Sequence, residues 1–420
     1  MGDRLAWPRG QFTVETNSQP IPSVAAVVSE ISGTIVTTIM SVVYIHIGLP
    51  KTGTTHLQDR LWHNRDLALQ ESGLLYPGNE ITDHFHAAAH LQPDRYLDWV
   101  DPAHARTWAS MVGQMRPWPQ TALVSHELFA TATVDQARRL VADLSFADEV
   151  HVIATVRDLA RQLPSVWQEN VKNQRHASFD EFVTSVRAYA ESPNVGAGDP
   201  GELPEEEPFW EFQDHVRILA RWSQVVGAER VHVVTVPRIR GDGDGLWERF
   251  LSVLGVDPAP LTVPVPNLNT SLSAAQTEML RLLNTRLQPD VVEWQRYERV
   301  LKEQVVAHIM SGRSDGVPPG LSDEQRAWAA DRSAEMITGL RSAGYSVVGS
   351  LDDLQVRRER DDAATAPQAE EVLTVALDTL AEMIIRAPMP VTRPAAQTRA
   401  MNLVRRARRR ILALRRSIGG

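Results

Sequence analysis

The chain has 420 residues, 43% of them hydrophobic, which is enough for one large α/β domain or two ordinary ones. Its 52 acidic residues outnumber the 43 Lys and Arg, and the net charge of −9 argues against a general nucleic-acid binder, which needs a basic excess. The absence of cysteine excludes disulfides, thiolate metal sites and a thiol nucleophile. No run of about 20 apolar residues occurs, so we expect no spanning helix and a cytoplasmic location.

The first 39 residues precede the recognisable domain. Met40 stands directly before a strong strand pattern. We therefore expect residues 1–39 to be a disordered leader, or an extension that results from a misassigned start codon.

Four short apolar runs alternate with helical patterns. The first, Val42–Ile47, ends at Gly48-Leu49-Pro50 and is followed by an amphipathic segment, Thr54–Leu69, which together predict strand, loop and helix. The other predicted strands are Thr121–Ser125, Glu149–Thr155 and Val231–Val236. Strands that alternate with helices predict an α/β fold with a parallel sheet flanked by helices, in which ligands bind beyond the carboxyl ends of the strands.

The rest of the chain is predicted to be helical. We assign residues 40–290 to the α/β core, 291–356 to helices that pack on it, and 357–420 to a linker and basic amphipathic helices. The last helix, Arg399–Ile418, carries eight arginines among apolar residues. It is either a solvated tail or a peripheral contact with an anionic membrane or a polyanionic acceptor.

A phosphate-cradling loop follows the first strand. Residues 48–55 read GLPKTGTT, with glycines that allow backbone N–H groups to approach an anion, a lysine, and hydroxyls at a helix N-terminus. The order is not that of the nucleotide-triphosphate loop, which requires Gly-Lys-Ser/Thr at its end. Pro-Lys-Thr-Gly-Thr-Thr instead resembles the 5′-phosphosulfate loop of sulfotransferases that use 3′-phosphoadenosine 5′-phosphosulfate (PAPS), in particular the bacterial ones.

The resemblance implies a role for each part of the loop. Lys51 would neutralise charge on the bridging oxygen as the sulfuryl group leaves, and Thr52 to Thr55 would hold the 5′-phosphate. Because a sulfuryl group carries less charge than a phosphoryl group, the reaction would use PAPS as donor without a metal. The resemblance covers roughly residues 40–284.

A second anion site is implied after the third predicted strand. The family places an arginine at the end of this strand and a serine eight residues later, and both bind the 3′-phosphate. Arg157 and Ser165 match that spacing. The predicted donor-binding residues are thus Pro50, Lys51, Thr52, Gly53, Thr54, Thr55, Arg157 and Ser165. Trp167, Gln168 and Lys172 follow on the same predicted helix and could face the acceptor.

The acceptor needs a base, because its hydroxyl or amine loses a proton as it attacks sulfur. Thr121–Ser125 is followed by His126 and Glu127. One branch of the family uses a histidine at this position and other branches use a glutamate, so the resemblance implies that one of the two is the base. The predicted catalytic residues are Lys51, His126 and Glu127, and neighbours at a strand end can point in opposite directions.

Other features leave choices open. His84, His86 and His90 could be structural, could contact the acceptor or could bind a metal; we assign no metal site. His56 stands where one branch has an aromatic residue that stacks on adenine, and the glycine-rich basic segment that closes over the 3′-phosphate has no clear counterpart. The alternatives to a sulfotransferase are a P-loop small-molecule kinase and a non-catalytic nucleotide-binding or anchoring protein. The acceptor, whether small molecule, lipid or carbohydrate, is not indicated.

Overall fold

The computed structural model describes residues 27–31, 34–38, 40–96, 101–191, 209–238, 245–265, 271–311, 316–357 and 366–387. The predicted helix at 399–418 lies outside these residues. The strands are β1 (Val27–Ile31), β2 (Thr34–Thr38), β3 (Val42–His46), β4 (Leu74–Leu75), β5 (Thr121–Ser125), β6 (Glu149–Val156), β7 (Val231–Thr235) and β8 (Ser346–Val348). All four predicted strands are confirmed.

Helices surround these strands. They are α1 (Thr54–Ser72), α2 (Asp83–Leu91), α3 (Pro93–Tyr96), α4 (Thr107–Met115), α5 (Val134–Asp143), α6 (Leu159–Lys172), α7 (Phe179–Ala190), α8 (Phe209–Gln213), α9 (His215–Val226), α10 (Leu246–Val253), α11 (Ala274–Asn284), α12 (Trp294–Tyr297), α13 (Asp323–Ser342) and α14 (Ala369–Arg386). A π-helical segment, Glu298–Met310, continues α12. None of the described helices is long and apolar enough to cross a membrane.

The main sheet has six parallel strands in the order β4-β5-β3-β6-β7-β8. The predicted parallel α/β fold is therefore confirmed. After β3 the chain goes to β4 at one edge, and later places β6 on the other side of β3. The strand order thus reverses at β3, and a crevice at such a switch point is where ligands bind in open α/β sheets.

The strand β3 is buried on both faces, which explains its continuous run of apolar residues. Val42 and Tyr44 pack in a cluster with residues of α1 and α10, whereas Val43 and Ile45 pack with residues of α5 and α9. Alternate side chains of a strand point to opposite faces, so helices cover the sheet on each side. A third cluster joins α6 and α7 to α11, the π-helical segment and α13.

A largely buried ion pair joins α10 to the segment that follows β8. Arg249 donates from Nη1 to Asp353 at 2.5 Å and to the carbonyl of Thr235 at 3.0 Å. Burial alone would raise the pKa of Asp353, but the hydrogen bonds from Arg249 and Thr235 hold it below its usual value.

Two parts of the predicted organisation differ from the structure. Residues 27–31 and 34–38, which belong to the segment expected to be a disordered leader or a misassigned extension, pair as two antiparallel strands. Residues 291–356, expected to be only helices on the core, also supply β8, the edge strand of the main sheet. A three-residue strand is too short to give a periodic signal in the sequence.

Candidate active site

The predicted phosphate loop leaves β3 at the switch point of the sheet, between the ends of β5 and β6. Its first residues extend the pairing of β3 with β6: Leu49 donates to the carbonyl of Thr155 at 3.0 Å, and Thr155 donates to that of Gly48 at 2.6 Å. On the other side, His126 donates its backbone N–H to the carbonyl of His46 at 3.0 Å. The loop is therefore held between the two polar segments that follow β5 and β6.

Left-handed backbone conformations give the loop its shape. Gly48 has a φ of 81° and Gly53 a φ of 97°, both of which favour glycine. A Cβ on Gly48 would lie 2.8 Å from the Cβ of Glu127, so this glycine also permits a close approach to the segment after β5. Lys51 has a φ of 66°, a strained conformation for a residue with a side chain. Such strain persists where the surroundings impose it, and it concentrates at functional sites.

The hydroxyl of Thr52 points into the protein. It donates to the carbonyl of Leu49 at 2.5 Å and lies 2.5 Å from the hydroxyl of Thr155. Thr155 lies 3.4 Å from Nε2 of His46, whose Nδ1 lies 2.7 Å from the hydroxyl of Ser125. This buried chain joins the ends of three strands beneath the loop. The Thr52 hydroxyl thus stabilises the loop from below.

The buried imidazole in this chain is neutral. Burial lowers the pKa of His46 to about 3, and Phe250 packs edge-on against its ring. A neutral imidazole has one donor and one acceptor nitrogen, which suits a link between two hydroxyls. His46 therefore has a structural role beneath the loop, and its polar character within an apolar strand was the signal for it.

The helix α6 forms a wall beside the loop. Arg157, just before this helix, donates to the carbonyl of Lys51 at 3.2 Å, and Gln162 donates to that of Pro50 at 2.6 Å. Ser165 is half-buried on the same stripe of α6, one turn after Gln162. The structure therefore brings Arg157 into contact with the predicted 5′-phosphate loop and places Ser165 on the helix stripe that faces it.

The ammonium of Lys51 is held by a residue that the sequence reasoning missed. Its Nζ lies 2.6 Å from Oε2 of Glu169, and both side chains are about 30% exposed. Burial alone would raise the pKa of Glu169, but the charge of Lys51 and its hydrogen bond lower it. Glu169 follows Ser165 by four residues, so the i, i+4 spacing could have indicated that it shares the face of α6 with Ser165.

The two candidate bases differ in their hydrogen bonds. Nδ1 of His126 accepts from the backbone N–H of Leu128 at 3.1 Å, and burial lowers the pKa of His126 although Glu127 raises it in part. The imidazole is therefore neutral, with its lone pair on Nδ1 occupied and its proton on Nε2. Nε2 lies 4.0 Å from Oε2 of Glu127.

Glu127 is an ionised carboxylate in this arrangement. Burial alone would raise its pKa, but a backbone hydrogen bond and the hydrogen bond from Gln58 lower it. Gln58 of α1 donates to Oε2 of Glu127 at 3.3 Å and to the carbonyl of Ser125 at 3.3 Å. Gln58 ties the phosphate-loop helix to the candidate base, and no motif in the sequence indicated it.

The three histidines that the sequence grouped together separate in the structure. His84 stacks on Tyr76 with ring centroids 4.1 Å apart, and its Nδ1 accepts from the backbone N–H of Ser125. His86 stacks on His104 at 3.6 Å, whereas His90 is exposed. No group of three or more His, Asp or Glu is placed to hold a metal ion within the described ranges.

Two of the three residues that could have faced the acceptor are instead structural. Trp167 donates to the carbonyl of Ala177 at 3.0 Å, and Gln168 donates to that of Leu272 at 2.6 Å. Both bonds attach α6 to the segments that lead into α7 and α11. Lys172 lies one turn beyond Glu169 on the same helix.

The site has the features of an anion cradle. The first N–H groups of α1 have no partner within the helix, and the helix dipole adds partial positive charge there. Gly53 caps this helix in a left-handed conformation, and Thr55 is exposed in its first turn. Together with Lys51 and Arg157, these groups suit the negative charge and the hydrogen-bond acceptors of a phosphate or sulfate group.

Comparison with known proteins identifies one distant structural neighbour. No protein-family model matches the sequence, and a search of curated proteins finds no relative. The chain is similar to the crystal structure of a sulfotransferase from Alicyclobacillus acidocaldarius, with 14% identity and a TM-score of 0.36 over 72% of this chain and 95% of that one. This likeness is too distant to identify the reaction.

Proposed function

We propose that the protein is a sulfotransferase that transfers the sulfuryl group of PAPS to a hydroxyl or amine of an acceptor. One observation carries the proposal: a Pro-Lys-Thr-Gly-Thr-Thr loop at the switch point of a parallel sheet, with its lysine in a strained conformation, lies beside Arg157 and Ser165. The donor, when bound, supplies an activated sulfuryl group. The protein supplies the positions, the charges and the base.

In this proposal the loop and the region of α6 bind different phosphates of the donor. The N–H groups at the start of α1 and the hydroxyl of Thr55 would hold the 5′-phosphate, whereas Arg157 and Ser165 would hold the 3′-phosphate. Lys51 would turn its ammonium from Glu169 towards the leaving oxygen, where negative charge develops. The strained backbone of Lys51 supports this role, because backbone strain of this kind occurs at functional sites, where a side chain is held in a required direction.

We assign the base to Glu127 and an orienting role to His126. Glu127 is ionised, and Gln58 orients one of its oxygens. The lone pair of neutral His126 is occupied by the N–H of Leu128, so His126 would have to break that bond before it could accept a proton. Glu127 would take the proton of the acceptor as the acceptor attacks sulfur.

Calorimetric binding of adenosine 3′,5′-bisphosphate tests the function, with ATP and 5′-AMP as controls, each with and without Mg²⁺. Tight binding that needs the 3′-phosphate and does not need Mg²⁺ supports the proposal and justifies a screen of acceptors. ATP binding that requires Mg²⁺ would instead indicate a kinase. Binding of adenosine 3′,5′-bisphosphate without turnover of PAPS with any acceptor, or with water, would indicate a non-catalytic protein.

A further inference from the structure

The lysines of this chain are few, and they meet at one place. Of its 43 Lys and Arg residues only three are lysine, namely Lys51, Lys172 and Lys302. Lys51 Nζ lies 2.6 Å from one oxygen of Glu169, and Lys302 Nζ lies 4.0 Å from the other. Lys172 follows Glu169 by one turn of α6, and its charge interacts with those of Glu169, Lys51 and Lys302. A chain that uses arginine nearly everywhere else thus places every lysine around one carboxylate.

Among the residues that the structure describes, the ionisable groups of this cluster carry more positive than negative charge. Three ammonium groups surround one carboxylate, and Lys172 is only 6% exposed. Burial lowers the pKa of Lys172 to about 8; Glu169 raises it, and Lys51 and Lys302 lower it. Like charges in a partly buried site are unfavourable unless an anion accompanies them.

The cluster is also open on one side. The side chains of Lys302 and Glu169 are 29% and 31% exposed, so a ligand can reach them. Lys302 is held in place from two sides: it donates to Oδ1 of Asn173 at 2.8 Å, and its ammonium lies 5.3 Å from the ring centroid of Trp294. The compact, rotatable ammonium of lysine suits a tetrahedral oxyanion that approaches from a variable direction, whereas arginine imposes a planar fork.

We propose that Lys172 and Lys302 form an oxyanion subsite that binds an anionic group of the acceptor, so that the acceptor is an acidic molecule carrying phosphate, sulfate or carboxylate. This inference rests on the proposed function. Both donor phosphates already have partners in that proposal, at the loop and at Arg157 with Ser165. Lys172 lies seven residues beyond Ser165, which is about 10 Å along a helix. Lys302 comes from the π-helical segment outside the sheet and approaches the oxygen of Glu169 that Lys51 does not contact.

The test separates the donor from the acceptor. Lys172→Met and Lys302→Met remove one charge each with little change in volume, Lys302→Arg keeps the charge, and Arg187→Met removes a charge from an exposed pair on α7. Each variant is titrated with adenosine 3′,5′-bisphosphate, and then, with that nucleotide saturating, with inorganic phosphate. We expect both Met variants to bind phosphate about ten- to a hundredfold more weakly than wild type, with nucleotide affinity within about twofold. Lys302→Arg should retain most of the phosphate affinity, and Arg187→Met should match wild type.

Turnover distinguishes the substrate class. With acceptor pairs that differ by one anionic group, the Met variants should raise KM for the charged member about tenfold or more and leave the neutral member and kcat nearly unchanged. Unchanged phosphate binding in both Met variants would show that the lysines have only a structural role and that the proposed subsite does not exist. A nucleotide affinity that falls as much as the phosphate affinity would assign the lysines to the donor. Failure of the wild type to bind the nucleotide would refute the sulfotransferase proposal itself, and the acceptor assignment with it.

Discussion

The base can be identified with two substitutions that preserve the hydrogen bonds of the site. Glu127→Gln keeps the volume of the side chain and an oxygen that can accept from Gln58, but removes the carboxylate. His126→Asn keeps an oxygen that can accept from the N–H of Leu128, but removes the imidazole. Neither change opens a large cavity, so both variants should fold and bind adenosine 3′,5′-bisphosphate like the wild type.

The two variants should differ in rate because Glu127 is an ionised carboxylate, whereas the lone pair of His126 already accepts a hydrogen bond from Leu128. Loss of a positioned general base lowers the rate by about 10²–10⁴-fold, and we expect that loss for Glu127→Gln. His126 stands 4.0 Å from Glu127 and is neutral, so its removal should cost less than about tenfold. The rates are measured as release of adenosine 3′,5′-bisphosphate from PAPS in a single turnover, with water or any acceptor that the wild type uses.

Chemical rescue adds a readout that a structural defect would not give. In Glu127→Ala, added formate should restore part of the rate, because a small carboxylate can occupy the space that the side chain leaves. Imidazole should not restore it. A Glu127→Gln enzyme with more than a tenth of the wild-type rate, beside a His126→Asn enzyme that has lost 10² or more, would show that the assignment is reversed.

Three further predictions concern the loop and the core. Lys51→Ala should lower turnover by about 10²–10³-fold and weaken nucleotide binding less than Arg157→Ala does, because the proposed role of Lys51 is mainly in the transition state. Equal losses of kcat and of nucleotide affinity in the two variants would contradict this. Gly48→Ala should lower the free energy of unfolding by at least about 1 kcal/mol in urea, since its Cβ would meet that of Glu127 at 2.8 Å; a neutral effect would mean that the loop can relax. Asp353→Ala should cost about 1–3 kcal/mol at neutral pH by removing the carboxylate that accepts from Arg249 and Thr235. Because the pKa of Asp353 is lower in the folded than in the unfolded protein, its carboxylate stabilises the fold above its unfolded pKa, and this stabilisation is lost as the pH falls through its folded pKa. A difference in unfolding free energy between mutant and wild type that persists in strong acid would refute this explanation.

The sequence predicted the sheet because its strands are buried on both faces. A strand such as β3, covered by helices on each side, must be a continuous apolar run, and Val42–Ile47 is one. Its direct passage into a glycine-containing loop and an amphipathic helix predicted the position of the site. By contrast, β4 and β8 have two and three residues, and a sequence window cannot separate such short strands from loop.

The predicted site residues were those that carry a motif, and the missed ones act through contacts between distant segments. Gln58 and Gln162 are ordinary helix residues in the sequence, and only the fold brings them to Glu127 and to the carbonyl of Pro50. Nor could the sequence choose between His126 and Glu127, because that choice depends on the N–H of Leu128 occupying one imidazole nitrogen. Side-chain direction at a strand end is set by packing, which a motif does not specify.

The rarity of lysine was visible in the sequence, but its meaning depends on the geometry of α6. Ser165, Glu169 and Lys172 follow one another at spacings of four and three, and therefore lie along one stripe of the helix. That stripe runs from the proposed 3′-phosphate site to Glu169 and Lys172 of the lysine cluster. In the proposed enzyme this helix would fix the distance between the donor and the anionic group of the acceptor, and holding two reactants at a set distance is a large part of catalysis by a transferase.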